Sequence, residues 1–143
     1  MKNMMKRLRN ERGLTLVELL AVIVILAIIA TIAFVMIGNV MENAKKDAQI
    51  ANGQQLIASA KLYEANGGEI GNEGVTAETL HEEGLIEQIT DPWEKTALND
   101  NAMSNSKVTK EEKIYSVTLK GSKSITATEV ELNQGRDEIT FEE

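Results

Sequence analysis

The sequence predicts an α+β chain in which a long N-terminal helix, membrane-spanning in its first half, packs on a small antiparallel β-sheet. Three observations carry this expectation. An apolar run of 24 residues, Leu14 to Ile37, follows a basic start. Apolar residues then recur at helical spacing to about residue 65, where Asn66-Gly67-Gly68 ends the pattern. The last third of the chain alternates apolar and polar residues as strands do. Averages over the 143 residues hide this division, since 43% apolar, 26% charged and a net charge of −7 would suit one ordinary acidic domain. The absence of cysteine excludes a disulfide scaffold, a cysteine nucleophile, a cysteine-based zinc site and a lipid anchor on cysteine. A single histidine, His81, excludes any site that needs two, and 3% aromatic residues exclude a large aromatic core.

Residues 1–13 form a basic leader, with Lys2, Lys6, Arg7, Arg9 and Arg12 against Glu11, a net charge of +4. Residues 14–37 contain one ionisable side chain, Glu18, and from Leu19 to Ile37 only Thr31 is not apolar. As a helix rising about 1.5 Å per residue, the run spans roughly 36 Å, enough to cross a bilayer. Its 16 Leu, Ile, Val and Phe residues favour insertion by on the order of 5 to 10 kcal/mol, against about 3 kcal/mol for a centrally placed glutamate. A helix apolar on all faces also fits poorly in a soluble core. The positive leader predicts a cytoplasmic N-terminus with the polar remainder exported.

Three kinds of segment share this outline: a secretory signal cleaved beyond its apolar stretch, an uncleaved single-span anchor, and a signal cleaved before the apolar stretch. Arg12-Gly13 followed by Leu14-Thr15-Leu16-Val17-Glu18-Leu19-Leu20 resembles the third kind, the class III signal of type IV prepilins and pseudopilins. The close resemblance covers about residues 6 to 50. It implies cleavage by a membrane prepilin peptidase after Gly13, methylation of the new N-terminal Leu14, and a type IV pilin-like fold. Glu18 then stands five places into the processed chain, where the family carries an acid thought to neutralise a neighbouring subunit's N-terminal amine during filament assembly. Two charges in a low-dielectric setting need each other, because an unpaired one is costly. A carboxylate in a first helical turn also interacts favourably with the helix dipole. Two departures are visible: leucine replaces the commoner phenylalanine at position 14, and Val35 stands where pilins often carry a helix-loosening proline, leaving Gly38 as the nearest weak point.

Residues 38–66 read as the amphipathic second half of the helix, so that Leu14 to Ala65 makes about 52 residues and roughly 80 Å of helix. Ala44, Ala48, Ala51, Ala58, Leu62 and Ala65 form the main apolar stripe, with Leu56, Ala60 and Tyr63 beside it. Lys45, Lys46, Asp47, Gln49, Gln54, Gln55 and Lys61 suit solvent or a neighbouring subunit. Residues 67–143 hold a connector and the sheet. Thr76 caps a short helix over Ala77 to Glu83 that Gly84 closes. Asp91-Pro92-Trp93 resembles a mid-domain segment of major pseudopilins and reads as a tight turn with Trp93 filling a core. A three-stranded meander is expected: Tyr115, Val117 and Leu119 facing the helix, a second strand over Ser124 to Leu132, a turn at Asn133-Gln134-Gly135, and a third strand over Glu138 to Phe141.

The sequence contains no nucleophile–base pair, phosphate loop or metal motif, so neither an enzyme nor a cofactor is expected. Asp91, Glu94 and Asp100 offer oxygen ligands, but their spacing matches no dedicated calcium loop, and a solvated acidic loop is the plainer expectation. His81 reads as an exposed helix residue. From Leu14 onward ten basic residues face twenty-one acidic ones, a charge of −11 that repels nucleic acid on average. The local exception, and the candidate DNA contact, is Lys107, Lys110, Lys113, Lys120 and Lys123; lysines that discourage strand-edge pairing explain the same pattern. The expected function is a structural subunit of a type IV pilus or of a pilus-like competence or secretion filament. It is held by membrane lipid before assembly and placed at the cell surface after it. The resemblance implies further copies of the chain, a prepilin peptidase, an assembly ATPase and a platform membrane protein as partners. The alternative is a single-pass or secreted binding protein with a prepilin-like signal.

Overall fold

The computed structural model describes residues 2–143, with side chains from Leu14 onward. Met1 and the side chains of 2–13, hence most of the expected leader and its end at Gly13, lie outside the described residues. The chain divides into two units, one ending at Glu42 and the other spanning Asn43–Glu143. The first helix, α1, runs over Lys2–Ala65 and contributes to both.

In the first unit the apolar run is helical throughout and exposed on every side. An 18-residue window reaches a mean hydropathy of 3.2, and none of it is buried. The helix is thus long and apolar enough to cross a membrane. Thr31, its one polar interior residue, turns its hydroxyl back onto the Ala27 carbonyl at 2.8 Å. That bond satisfies the Thr31 donor without water.

The second unit is α+β, with the end of α1 packed on a five-stranded antiparallel sheet in the order β1-β2-β3-β4-β5. After α1 come β1 (Val75–Thr76), α2 (Ala77–Glu82), α3 (Asp100–Asn105), β2 (Lys107–Glu111), β3 (Ile114–Leu119), β4 (Ser124–Thr128), α4 (Glu129–Gln134) and β5 (Phe141–Glu142). Val108, Val117 and Ala127 stand side by side across β2, β3 and β4 and are buried, as are Leu119 and Ile125. On the helix Ile50, Leu56, Ile57 and Ala60 meet this face. Gly53 lies at this contact, where a Cβ would meet the Ile125, Leu132 and Val117 side chains at 3.4 Å, an ordinary van der Waals distance.

The expected helix face is therefore corrected. Ala44, Ala48, Ala51, Ala58, Leu62 and Ala65 are all exposed, and the neighbouring stripe that includes Leu56 and Ala60 is the one buried. Gln49, expected at the surface, is 1% exposed. Its amide donates to the Lys123 carbonyl at 2.8 Å and its oxygen accepts from Asn52 at 3.3 Å. A buried amide costs little once both of its ends are bonded.

The strand expectations shift as well. The helix after Thr76 is present, with the Thr76 hydroxyl accepting from the Thr79 amide and Gly84 adopting φ +69° just beyond it. Strands β1 and β2 add to the expected three. The second expected strand ends at Thr128, because Thr128 and Glu131 form a reciprocal capping box that starts α4. The third shrinks to Phe141–Glu142, since residues 136–138 form a single 3₁₀ turn. Trp93 does not fill the core. It lies half-buried against the edge of Phe141, with ring centroids 6.4 Å apart.

Two substitutions separate the helix faces. Leu56→Ala should lower stability by about 2–5 kcal/mol through the cavity it leaves, whereas Leu62→Ala should change it by no more than about 0.5 kcal/mol. Urea unfolding followed by Trp93 fluorescence measures both.

Candidate functional site

Leu14 and Glu18 lie within α1 with exposed side chains. Both sit on the helix that carries the apolar run, so a group at either position is held at the margin of the most apolar surface in the chain. Gly13 lies just before the residues described with side chains. The assembly role expected of Glu18 involves a second copy of the chain.

The five lysines singled out in the sequence do not form one patch. Lys110 and Tyr115 are cross-strand partners on the face toward α1, and both reach Glu64 there. The Lys110 ammonium pairs with one carboxylate oxygen, and the Tyr115 hydroxyl donates to the other at 2.5 Å. Hydrogen bonds from Lys110 and then Tyr115 hold the Glu64 carboxyl below the usual carboxylate range. Lys61, ion-paired to Glu129, lies 5.0 Å from the Tyr115 ring centroid, and Lys110 lies 5.1 Å from it. Tyr115 is thus flanked by two cations, each neutralised by its own carboxylate. Lys123 sits 5.5 Å over the Trp93 ring, and Lys113 is exposed in the two-residue β2–β3 turn. Only Lys107 and Lys120 meet, lining one open cavity of about 690 Å³ between α3, the sheet and the 91–99 loop.

Asp91 is the charged residue whose role the sequence reading missed. It is 4% exposed rather than solvated. One carboxylate oxygen accepts the amides of Trp93 at 2.8 Å and Glu94 at 3.2 Å, and the other accepts the Ser122 amide at 2.6 Å. Burial alone would raise its pKa; the amides of Ser122, Trp93 and Glu94 together outweigh burial and hold it below the usual value. A Cβ at Gly121 would come within 2.8 Å of this carboxylate, so glycine is required beside it. Asp91 thereby ties the 91–97 loop to the β3–β4 turn. The local signal was present in the sequence: Asp-Pro-Trp places an acceptor ahead of two free amides, as in an Asx turn.

Asp91, Glu94 and Asp100 are not brought together as a set of oxygen ligands. The Asp91 oxygens face amides. Glu94 is exposed, and Asp100 stands exposed in the first turn of α3, which Asn99 caps by accepting the Ala102 amide. Among the described residues no group of three or more acidic or imidazole side chains is placed to hold a metal. His81 is exposed, and its Nδ1 lies 3.0 Å from the Ile86 carbonyl, so it acts locally on the turn after α2.

Asp91→Asn puts an amide NH₂ or a weaker acceptor where three N–H groups converge, and should cost about 1–3 kcal/mol at neutral pH. Because the native pKa is depressed, the stability that the charge supplies is complete above the unfolded-state value near 4 and disappears as pH falls through the lower native value. Denaturant midpoints measured from pH 7 to pH 2.5 should therefore converge for the two proteins at the acid end.

No curated protein and no solved structure matches the chain. One family model does match, described as the prokaryotic N-terminal methylation motif, over residues 8–34. Those residues contain Gly13, Leu14, Glu18 and most of the apolar run. Residues 8–34 thus match the prokaryotic N-terminal methylation motif, the kind of segment that makes up the class III signal of type IV pilins and pseudopilins.

Proposed function

We propose that this chain is a structural subunit of a type IV pilus or of a pilus-like competence or secretion filament. In this reading prepilin peptidase cuts after Gly13 and the Leu14 amine is methylated. The subunit waits in the membrane with residues 14–37 across the bilayer. An assembly ATPase and a platform membrane protein then transfer it into a filament at the cell surface. The observation that carries the reading is the matched motif at 8–34 on a helix whose apolar run is exposed on every side among the described residues. Such a surface requires lipid, or many copies of itself, around it. Glu18 is the assembly residue: its carboxylate compensates the N-terminal charge of a neighbouring Leu14, so that neither enters the filament core unpaired. The α+β unit at 43–143 gives such a helix a folded platform outside the bilayer.

N-terminal sequencing of the chain recovered from membranes and from sheared surface material tests the processing step. A methylated Leu14 supports the reading. A start near residues 31 to 34 would point to ordinary secretion, and retention of Met1 to a plain anchor; either result would overturn it. Glu18→Ala should leave cleavage and membrane insertion intact while depleting surface filaments at least tenfold. Wild-type filament numbers in that variant would remove Glu18 from the assembly step.

A further inference from the structure

Charge in the folded unit is segregated along the chain. Between Lys61 and Lys95 there is no lysine or arginine, while nine acidic residues occur there. Glu64 and Asp91 in that span are engaged within the chain, the first by Lys110 and Tyr115, the second by backbone amides. Glu82, Glu83 and Glu87, at and just beyond the end of α2, are exposed, and none forms an ion pair among the described residues. The opposite sign gathers at 107–123, with five lysines against Glu111 and Glu112.

Within that basic span the structure distinguishes two lysines. Lys107 is the cross-strand partner of Thr118, and Lys120 lies two residues further along, its amide bonded to the Ser106 hydroxyl at 2.8 Å. Both line the cavity of about 690 Å³. Neither forms an ion pair among the described residues, although Lys61, Lys110 and Arg136 do. Lys45, Lys46, Lys95 and Lys113 form none either, but Lys46 lies over the Phe141 ring and the others stand on separate elements. The same cavity presents Glu94 and the already bonded Asp91, and Glu73 lines a neighbouring cavity with Lys107.

We infer that the Lys107–Lys120 cavity receives the exposed carboxylates of a second copy of this chain, those of Glu82 and Glu83. Charge complementarity selects this occupant. A chain of −11 from Leu14 onward repels its own copies unless their surfaces offer local matches, and here two uncompensated ammonium groups match two adjacent uncompensated carboxylates. Nucleic acid fits less well. Two lysines neutralise about two phosphates, where strong electrostatic binders use six to ten, and Glu94 on the cavity wall opposes a polyanion. The two surfaces differ, so the contact is head-to-tail and can propagate from copy to copy without closing. The inference deepens the filament reading and rests on it for its biological setting, but the contact itself has an independent readout.

Charge reversal in the full-length chain, Lys107→Glu with Lys120→Glu, should leave processed subunit in the membrane at the wild-type level and reduce filaments at least tenfold. Adding Glu82→Lys and Glu83→Lys should restore them to within threefold. Lys107→Gln with Lys120→Gln, which introduces no new charge, should give an intermediate loss. Because the chain has no cysteine of its own, full-length Lys120→Cys and Glu83→Cys chains produced together should yield a disulfide-linked dimer under oxidation, and each alone should not. That dimer in cells whose wild-type chain makes no filaments would sink the filament reading and leave the contact standing. Wild-type filaments from the charge-reversed chain, or no mixed dimer beside normal filaments, would overturn the inference. Binding of a duplex oligonucleotide by the solubilised chain, lost in the glutamine variant while no mixed dimer forms, would assign the cavity to nucleic acid instead.

Discussion

Everything about this chain follows from one constraint: the helix over residues 14–37 has no face suited to water. Its 16 Leu, Ile, Val and Phe residues each gain about 1.5–3 kcal/mol on leaving water, a total of roughly 25–50 kcal/mol. A whole domain is stable by only about 5–15 kcal/mol. No folding equilibrium in the rest of the chain can offset exposure of this surface, so the helix passes only between environments that cover it. Back-bonded Thr31 fits this demand, because its hydroxyl needs no partner outside its own turn. A bilayer and a bundle of like helices are the two coverings available to such a segment.

The second unit meets a different demand: it must hold the end of the same helix with no disulfide. The helix does this with polar as well as apolar side chains. Gln49 bonds the Lys123 carbonyl, Asn52 that of Thr90, Gln54 that of Leu132 and Ser59 that of Leu85. Each bond is worth about 0.5–1.5 kcal/mol net, and each anchors a different segment of the chain to the helix. Beneath them the contact of Leu56, Ile57 and Ala60 with Val117 and Ile125 supplies the apolar share. Asp91 does for the loops what these side chains do for the helix. Its three amide partners join two segments about thirty residues apart in sequence.

These details explain which parts of the fold were legible in the sequence. The long helix was, because its apolar run is unbroken and Asn66-Gly67-Gly68 marks its end; Gly67 indeed takes φ +96°. Its buried face was not, because the regular spacing of alanines marks a stripe without showing whether anything covers it. The buried strip includes Gln49, Gly53 and Ser59, which look hydrophilic or neutral in sequence and become compatible with burial only through partners far along the chain. Strand β2 escaped because Lys107–Glu111 contains one apolar residue, Val108, and is recruited by pairing with β3 rather than by its own periodicity. The end of β4 was legible in principle, since Thr128-x-x-Glu131 is a capping-box sequence, yet alternation was read through it to Leu132. At the site, Gly13, Leu14 and Glu18 were identifiable because the signal is local and contiguous. The separation of the five lysines was not, because which face of a strand a lysine occupies depends on register.

The two kinds of surface on this chain are suited to different tasks in an assembly. Apolar contact along a helix supplies most of the free energy and little direction, since one all-apolar face resembles another when helices slide or rotate. Charge contributes less energy in water but is strongly sensitive to who sits opposite, and it favours some registers while penalising others. In the proposed assembly the apolar stem would hold copies together, and Lys107 and Lys120 opposite Glu82 and Glu83 would set their order. The exposed alanine stripe, Ala44 through Ala65, fits between these roles: small side chains permit close approach of another helix without fixing its position. A mismatch of charge at Lys107 and Lys120 would then leave the cohesion of the stem intact and remove the preference for one stagger over another.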